Sequence, residues 1–171
     1  LHGDASRPFE PGRTACLQGL QIDPARGPVL LLLSSLQFRL GEYEIRQGKD
    51  PRARFSESIA TSRQALALDP GDADAHANLG GAFRVQALYE LDAGLDPRAS
   101  VEAGVQALDE AIRLNPRFAV ACNILGVIHN IRANYEMGAK MSLADVAWAE
   151  AEQTRIYRRF QQTFRDYDLV L

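Results

Sequence analysis

Three tyrosines recur at a fixed interval, and this internal repeat restricts the possible folds more than any other feature of the chain. Tyr43, Tyr89 and Tyr135 are 46 residues apart, and each is followed by a glutamate. The same interval relates the Gly-x-Asp-Pro-Arg segments at 48–52 and 94–98. A repeat with a period of about 20 to 50 residues indicates similar structural units stacked side by side.

Each unit has the pattern of two helices joined by a turn. In the middle unit, Ala75, Leu79 and Phe83 are spaced near one turn of a helix. Gly94 is suited to end that helix in the left-handed conformation, and Asp96-Pro97 is suited to start the next one. No segment alternates between apolar and polar residues for long enough to indicate a strand. The pattern therefore predicts an all-α fold, a solenoid of antiparallel helical hairpins.

The interval divides the chain into one predicted array over residues 1–171. Its parts are an orphan second helix at 4–22, repeat 1 at 28–67, repeat 2 at 72–113 and repeat 3 at 117–165 with a capping C-terminal helix. We expect Pro11 to disturb the first turn of the orphan helix. Because the chain opens on Leu1 in the middle of a repeat, we expect it to be a piece of a longer protein.

Composition argues against several classes of function. The net charge is −3 without a basic tail, which argues against a general binder of nucleic acid or anionic membranes. The longest apolar run, at 29–33, is far too short to span a bilayer. Cys16 and Cys122 have the pattern of small core residues in a reducing compartment rather than of a disulfide. We therefore expect a cytoplasmic protein.

The units resemble the tetratricopeptide repeat. The middle unit carries His76-x2-Leu79-Gly80-x2-Phe83, and its second helix ends Ala111-x4-Pro116. The preceding unit ends Ala65-x4-Pro70, which is equally typical of the family. The resemblance covers about residues 4–165 and implies a right-handed solenoid that binds proteins or peptides.

The units are longer than those of most family members. They span 46 residues, against about 34 in the family. The additional residues fall between Phe83 and Gly104, at the tip of the hairpin. Long units of this kind are similar to those of large bacterial regulatory proteins, including proteins joined to serine/threonine kinase domains. A bacterial signalling protein is therefore an expectation that rests on the resemblance.

The resemblance also implies a set of binding residues, because first helices line the concave face in the family. Carried over by register, the candidates are Phe38, Arg39, Asp74, Asn78, Arg84, Asn123, Asn130 and Asn134. Asparagine suits peptide binding because its amide both donates and accepts hydrogen bonds. Asn78 occupies the position where family members often grip a peptide. The alternative is that these side chains are simply solvated polar residues on a helix face.

Other chemistry-bearing residues favour structural roles. A Tyr-Glu pair at every hairpin tip suggests something that each hairpin needs, such as ion pairs of Glu44 and Glu90 with Arg52 and Arg98. His76 and Cys122 occupy equivalent positions, but a zinc site needs three or four converging ligands. We therefore predict no catalytic residue, no metal site and no cofactor.

The last helix allows two interpretations. It carries four arginines and the aromatic residues Trp148, Tyr157, Phe160, Phe164 and Tyr167. It is predicted either to cap the array with its aromatics buried, or to dock a partner or a second copy. The leading functional hypothesis is a protein-interaction scaffold that is not an enzyme. The alternative is an oligomerisation or sensor module that self-associates through its terminal helices.

Overall fold

The computed structural model describes residues 9–166. This part of the chain forms helices α1 (Phe9–Ile22), α2 (Gly27–Arg46), α3 (Arg52–Leu68), α4 (Ala73–Asp92), α5 (Arg98–Leu114), α6 (Ala119–Lys140) and α7 (Leu143–Asp166). It contains no strand between residues 9 and 166, so the all-α prediction is confirmed. None of the helices in this range has the length and apolar character needed to cross a membrane.

The chain divides into two compact units, one that ends at Ala133 and one that begins at Asn134. Within the first unit, α2 pairs with α3 and α4 with α5, while α1 lies against α2 and α3 against α4. These pairs are the helical hairpins that the sequence predicts. The second unit contains the end of α6 and all of α7. A single array over 1–171 stays a prediction.

Helix α1 is regular from its first described residue. It begins at Phe9 and continues through Pro11, and positions 4–8 of the predicted helix lie outside the described residues. A proline is tolerated in a first turn because the N–H groups there have no acceptor within the helix. The expected irregularity at Pro11 is therefore not observed in α1.

Both hairpin loops end the preceding helix in the same way. Gly48 and Gly94 have φ angles of +68° and +69°, which confirms the predicted left-handed end at Gly94. The Lys49 N–H donates to the Glu44 carbonyl and the Gly48 N–H to the Ile45 carbonyl, both at 2.9 Å. These two bonds form a Schellman motif, which satisfies carbonyls that the helix end leaves free. Glycine adopts this conformation without the strain that a β-carbon would add.

The two helices of the second hairpin meet at a glycine. Leu108 on α5 is fully buried, and a β-carbon placed on Gly80 of α4 would lie 2.4 Å from its Cγ. The Leu-Gly pair of the sequence motif thus has a packing cause, since any side chain at position 80 would collide with Leu108. Val101, Ala111 and Ile128 extend the same core.

The first hairpin uses hydroxyl groups at the same contact. Ser34, Ser58 and Ser62 lie 46 residues before Gly80, Gly104 and Leu108. All three serines are fully buried, and the Ser34 Oγ lies 2.6 Å from the Ser62 Oγ. The Ser58 hydroxyl donates to the Ser34 carbonyl at 2.9 Å. Hydrogen bonds therefore replace apolar packing here, and the network stabilises the hairpin because its hydroxyls have partners.

Two of the repeated tyrosines, Tyr43 and Tyr89, pack against the preceding repeat. The ring centroids of Phe9 and Tyr43 are 6.4 Å apart, and those of Phe55 and Tyr89 are 6.1 Å apart. The two phenylalanines are separated by the same 46 residues as the two tyrosines. Each pair thus joins the second helix of one repeat to the first helix of the next, which favours the structural interpretation of the tyrosines.

The ion pairs at the tips differ from those expected. Arg52 pairs with Asp50, and the Arg54 Nε donates to the Glu44 carboxylate at 3.1 Å. Glu90 accepts from the Gln86 amide at 2.9 Å. The expected Glu44–Arg52 pair is therefore wrong, because Arg52 finds a carboxylate two residues away in its own loop. In the second tip Arg98 pairs likewise with Asp96.

This loop geometry predicts an unusually acidic Asp50. Hydrogen bonds from the Arg52 side chain and backbone lower the pKa of Asp50 to about 2. A folded-state pKa below the unfolded value of about 3.9 contributes stability above that value, and the contribution is lost as pH falls through about 2. We expect NMR titration of the Asp50 carboxyl carbon to give a pKa of about 2. The Arg52→Gln substitution should move this pKa towards about 3.9. An unshifted midpoint in the unaltered protein would contradict this geometry.

Candidate functional site

One groove in the first unit is lined by the first helices of three successive repeats, α2, α4 and α6, and by the residue before α6. Its volume is about 460 Å³. The apolar part of the lining consists of Phe38, Ala77, Gly81, Phe118, Val120 and Ile124. This is the arrangement that the family resemblance implies for a concave face.

Five of the eight predicted binding residues line this groove. They are Phe38, Arg39, Asp74, Asn78 and Arg84. Asn123 and Asn130 are exposed on α6 but do not belong to the lining, and Asn134 lies in the second unit. The structure thus brings together the candidates of the first two repeats and not those of the third.

The amide of Asn78 is already engaged within the protein. Its Nδ2 donates to the Leu31 carbonyl at 3.1 Å, and its Oδ1 accepts from the Ser35 hydroxyl at 3.5 Å. Both partners belong to α2, so Asn78 joins the first helices of two repeats. Binding a peptide through this amide would first require these bonds to break, which weakens the predicted gripping role.

Arg84 is likewise paired across the groove. Its Nη2 donates to the Glu42 carboxylate at 2.7 Å. The two side chains are 22% and 27% exposed, so solvent screens the pair only in part. Arg84 and Glu42 therefore neutralise each other within the groove and fix the distance between α2 and α4.

Two lining residues of opposite charge, Arg39 and Asp74, form no ion pair within residues 9–166. Arg39 is exposed, and its guanidinium carbon lies 5.7 Å from the centre of the Phe38 ring. Asp74 is exposed at the start of α4, and its carboxylate has no hydrogen-bond or ion-pair partner within residues 9–166. These groups can pair with charges of a ligand without breaking a hydrogen bond or an ion pair.

A glycine forms the bottom of the apolar part. A β-carbon placed on Gly81 would lie 3.9 Å from both Phe38 and Ile124, so the two side chains flank Gly81. Val120, which is 58% exposed, also lines the groove. Sequence reasoning missed Val120, although it lies 46 residues after Asp74 and could have been found by register.

The described part of the chain contains no metal site formed by His76 and the two cysteines. The His76 imidazole donates to the Pro70 carbonyl at 3.0 Å. Cys16 is buried, which raises the pKa of its thiol, whereas Cys122 is exposed. The prediction that both cysteines lie in a core is therefore wrong for Cys122. Residues 9–166 contain no group of three or more His, Cys, Asp or Glu side chains placed to hold a metal ion.

In the second unit, Ser142 caps the start of α7. The Asp145 N–H donates to the Ser142 Oγ at 3.2 Å, and the Ser142 N–H donates to the Asp145 carboxylate at 2.8 Å. This is a reciprocal capping arrangement. Trp148 and Tyr157 are 69% and 63% exposed. The side chains of Phe160 and Phe164, and all of Tyr167, lie outside the described part.

Comparison with known proteins yields matches among solved structures. No model of a protein family and no curated protein matches the chain. A mutant O-GlcNAc transferase from Thermobaculum terrenum is 28% identical over 68% of this chain, with a TM-score of 0.52. A monomeric mutant of IFIT1 with Gppp-AAAA is 15% identical over 90% of this chain, with a TM-score of 0.39 that supports no argument.

The matched region covers less than half of each of these proteins. It spans 18% of the transferase chain and 42% of the IFIT1 chain. Both are proteins with tetratricopeptide repeats, and the likeness to the transferase supports a tetratricopeptide-like helical repeat. The special 46-residue form of the repeat stays a prediction from the sequence.

Proposed function

We propose that the chain is a protein-interaction module whose groove binds an extended peptide segment of a partner protein. The observation that supports this most is that three successive first helices line one groove with a partly apolar lining. An extended peptide presents side chains at regular intervals, and a surface built from repeats offers contacts at regular intervals.

The lining suggests what such a segment carries. An apolar side chain would occupy the space above Gly81 between Phe38 and Ile124. An acidic and a basic residue would pair with Arg39 and Asp74, which gives direction and specificity more than affinity. No catalytic step is part of this function, because its binding contacts are packing and charge pairing.

Selection of peptides from a displayed random library tests this function. We expect enriched sequences to combine an apolar residue with charged neighbours, and to bind the purified protein in calorimetry. Gly81→Leu should fill the space between Phe38 and Ile124 and reduce the affinity at least about tenfold. Ala60→Leu is the matched control, since Ala60 is exposed on α3 and lies outside the groove lining.

Two results would refute the groove as the binding site. One is a selected peptide that binds the Gly81→Leu protein as tightly as the unaltered protein. The other is an equal loss of affinity in the Ala60→Leu protein. Circular dichroism and urea unfolding of each variant establish that the fold is retained before binding is compared.

A further inference from the structure

A second cavity lies at the hairpin tips, between α3 of the first hairpin and α4 of the second. Its volume is about 190 Å³, and its lining includes Phe55, Gln86, Tyr89, Glu90 and Leu95. It shares no lining residue with the groove. An inference about this cavity is therefore independent of the proposed function.

One wall of the cavity carries a half-satisfied carboxylate. The Glu90 Oε1 accepts from the Gln86 amide at 2.9 Å, whereas the buried Oε2 has no hydrogen-bond partner among the described residues. A carboxylate oxygen that is withdrawn from water without a donor costs free energy. A donor supplied from outside would remove that cost.

The first hairpin shows which donor satisfies this carboxylate. Glu44 lies 46 residues before Glu90 and accepts from the Arg54 guanidinium at 3.1 Å. The residue equivalent to Arg54 in the second hairpin is Ser100, which is buried and carries no charge. The second hairpin therefore keeps the glutamate and lacks the guanidinium that neutralises it.

The remaining lining suits a cation with a flat face. The Phe55 and Tyr89 rings lie 6.1 Å apart in an edge-to-face arrangement, and aromatic rings attract cations. Arg52 also borders the cavity, but its guanidinium pairs with the Asp50 carboxylate at 2.5 Å. Its charge is thus compensated, and the charge of Glu90 is not.

We propose that this tip cavity binds the guanidinium of an arginine side chain on a partner protein, with Glu90 as its acceptor. A guanidinium offers several N–H donors in one plane, so it can serve a carboxylate and stack against an aromatic ring at the same time. A guanidinium is also the group that the chain itself supplies to Glu44, there from the second helix of the same hairpin. The tip cavity and the groove would then be separate contact points.

Titration of the isotope-labelled protein with amide-capped arginine, followed by NMR, tests this site. We expect saturable shifts at Gln86, Glu90 and Leu95. Capped citrulline has nearly the same shape without the charge, so it should bind at least about tenfold more weakly. Glu90→Gln should cause a similar loss. Ser100→Arg leaves Glu90 intact and should block the probe by supplying an internal guanidinium.

Several results would overturn the proposal. These are the absence of saturable shifts at the cavity, equal binding of arginine and citrulline probes, or undiminished binding by the Glu90→Gln protein. Tighter binding of free L-arginine than of the capped residue would overturn the assignment to a partner protein. Should Glu90→Gln fail to fold, Ser100→Arg decides the matter, since unchanged binding there is equally contradictory.

Discussion

Replacing Gly80 by alanine should lower the free energy of unfolding by about 1–3 kcal/mol, whereas the same change at Gly81 should raise it by about 0.5–1 kcal/mol. A β-carbon at position 80 would lie 2.4 Å from the Leu108 Cγ, so either α4 or α5 must shift. A β-carbon at position 81 meets its nearest neighbours only at 3.9 Å. There the higher helix propensity of alanine decides the outcome.

Urea unfolding of the two single variants measures this difference between adjacent residues. Leu108→Ala provides the internal control, because it removes the atoms with which the new β-carbon would collide. In that background Gly80→Ala should be neutral or stabilising, which corresponds to a coupling of about 1–3 kcal/mol. Equal effects at positions 80 and 81, or no coupling to Leu108, would show that the two helices do not meet at Gly80.

Replacing Phe55 by alanine should lower the free energy of unfolding by about 3–5 kcal/mol. Phe55 is 1% exposed and joins three helices. It lies on α3, its ring covers Gly41 of α2, and it meets the Tyr89 ring of α4. Its loss would leave a cavity both within one hairpin and between two successive repeats.

Phe9→Ala is the matched control for this change. Phe9 makes the equivalent contact with Tyr43, but it is only half-buried and lies at the start of α1. We expect a clearly smaller loss, measured by the shift in the urea midpoint. A loss at Phe9 as large as that at Phe55 would contradict the assignment of Phe55 as the central contact between repeats.

The repeat made much of the fold predictable from the sequence. Gly94 and Ser142 end and begin helices as their residue types indicate, because such local rules depend on neighbouring residues alone. The 46-residue interval also located the hairpins to within a few residues. The buried cluster of Ser34, Ser58 and Ser62 could have been found by aligning the repeats, since it replaces two glycines and a leucine.

The hydrogen-bond and ion-pair partners of the candidate binding residues could not be predicted from the repeat. The amide of Asn78 is engaged by a carbonyl 47 residues away in the sequence, and Arg84 by a carboxylate 42 residues away. Such partners depend on how closely α2 and α4 approach, which no residue pattern specifies. The Glu90 Oε2 likewise has no hydrogen-bond partner among the described residues, whereas the equivalent Glu44 accepts from Arg54.

The most direct test of the binding function is to locate a selected peptide on the protein by intermolecular NMR contacts. The groove account predicts contacts from an apolar peptide side chain to Phe38 and Ile124, on either side of Gly81. It also predicts that Gly81→Leu abolishes them. Contacts confined to α3 or α5, with none to the groove lining, would contradict the account.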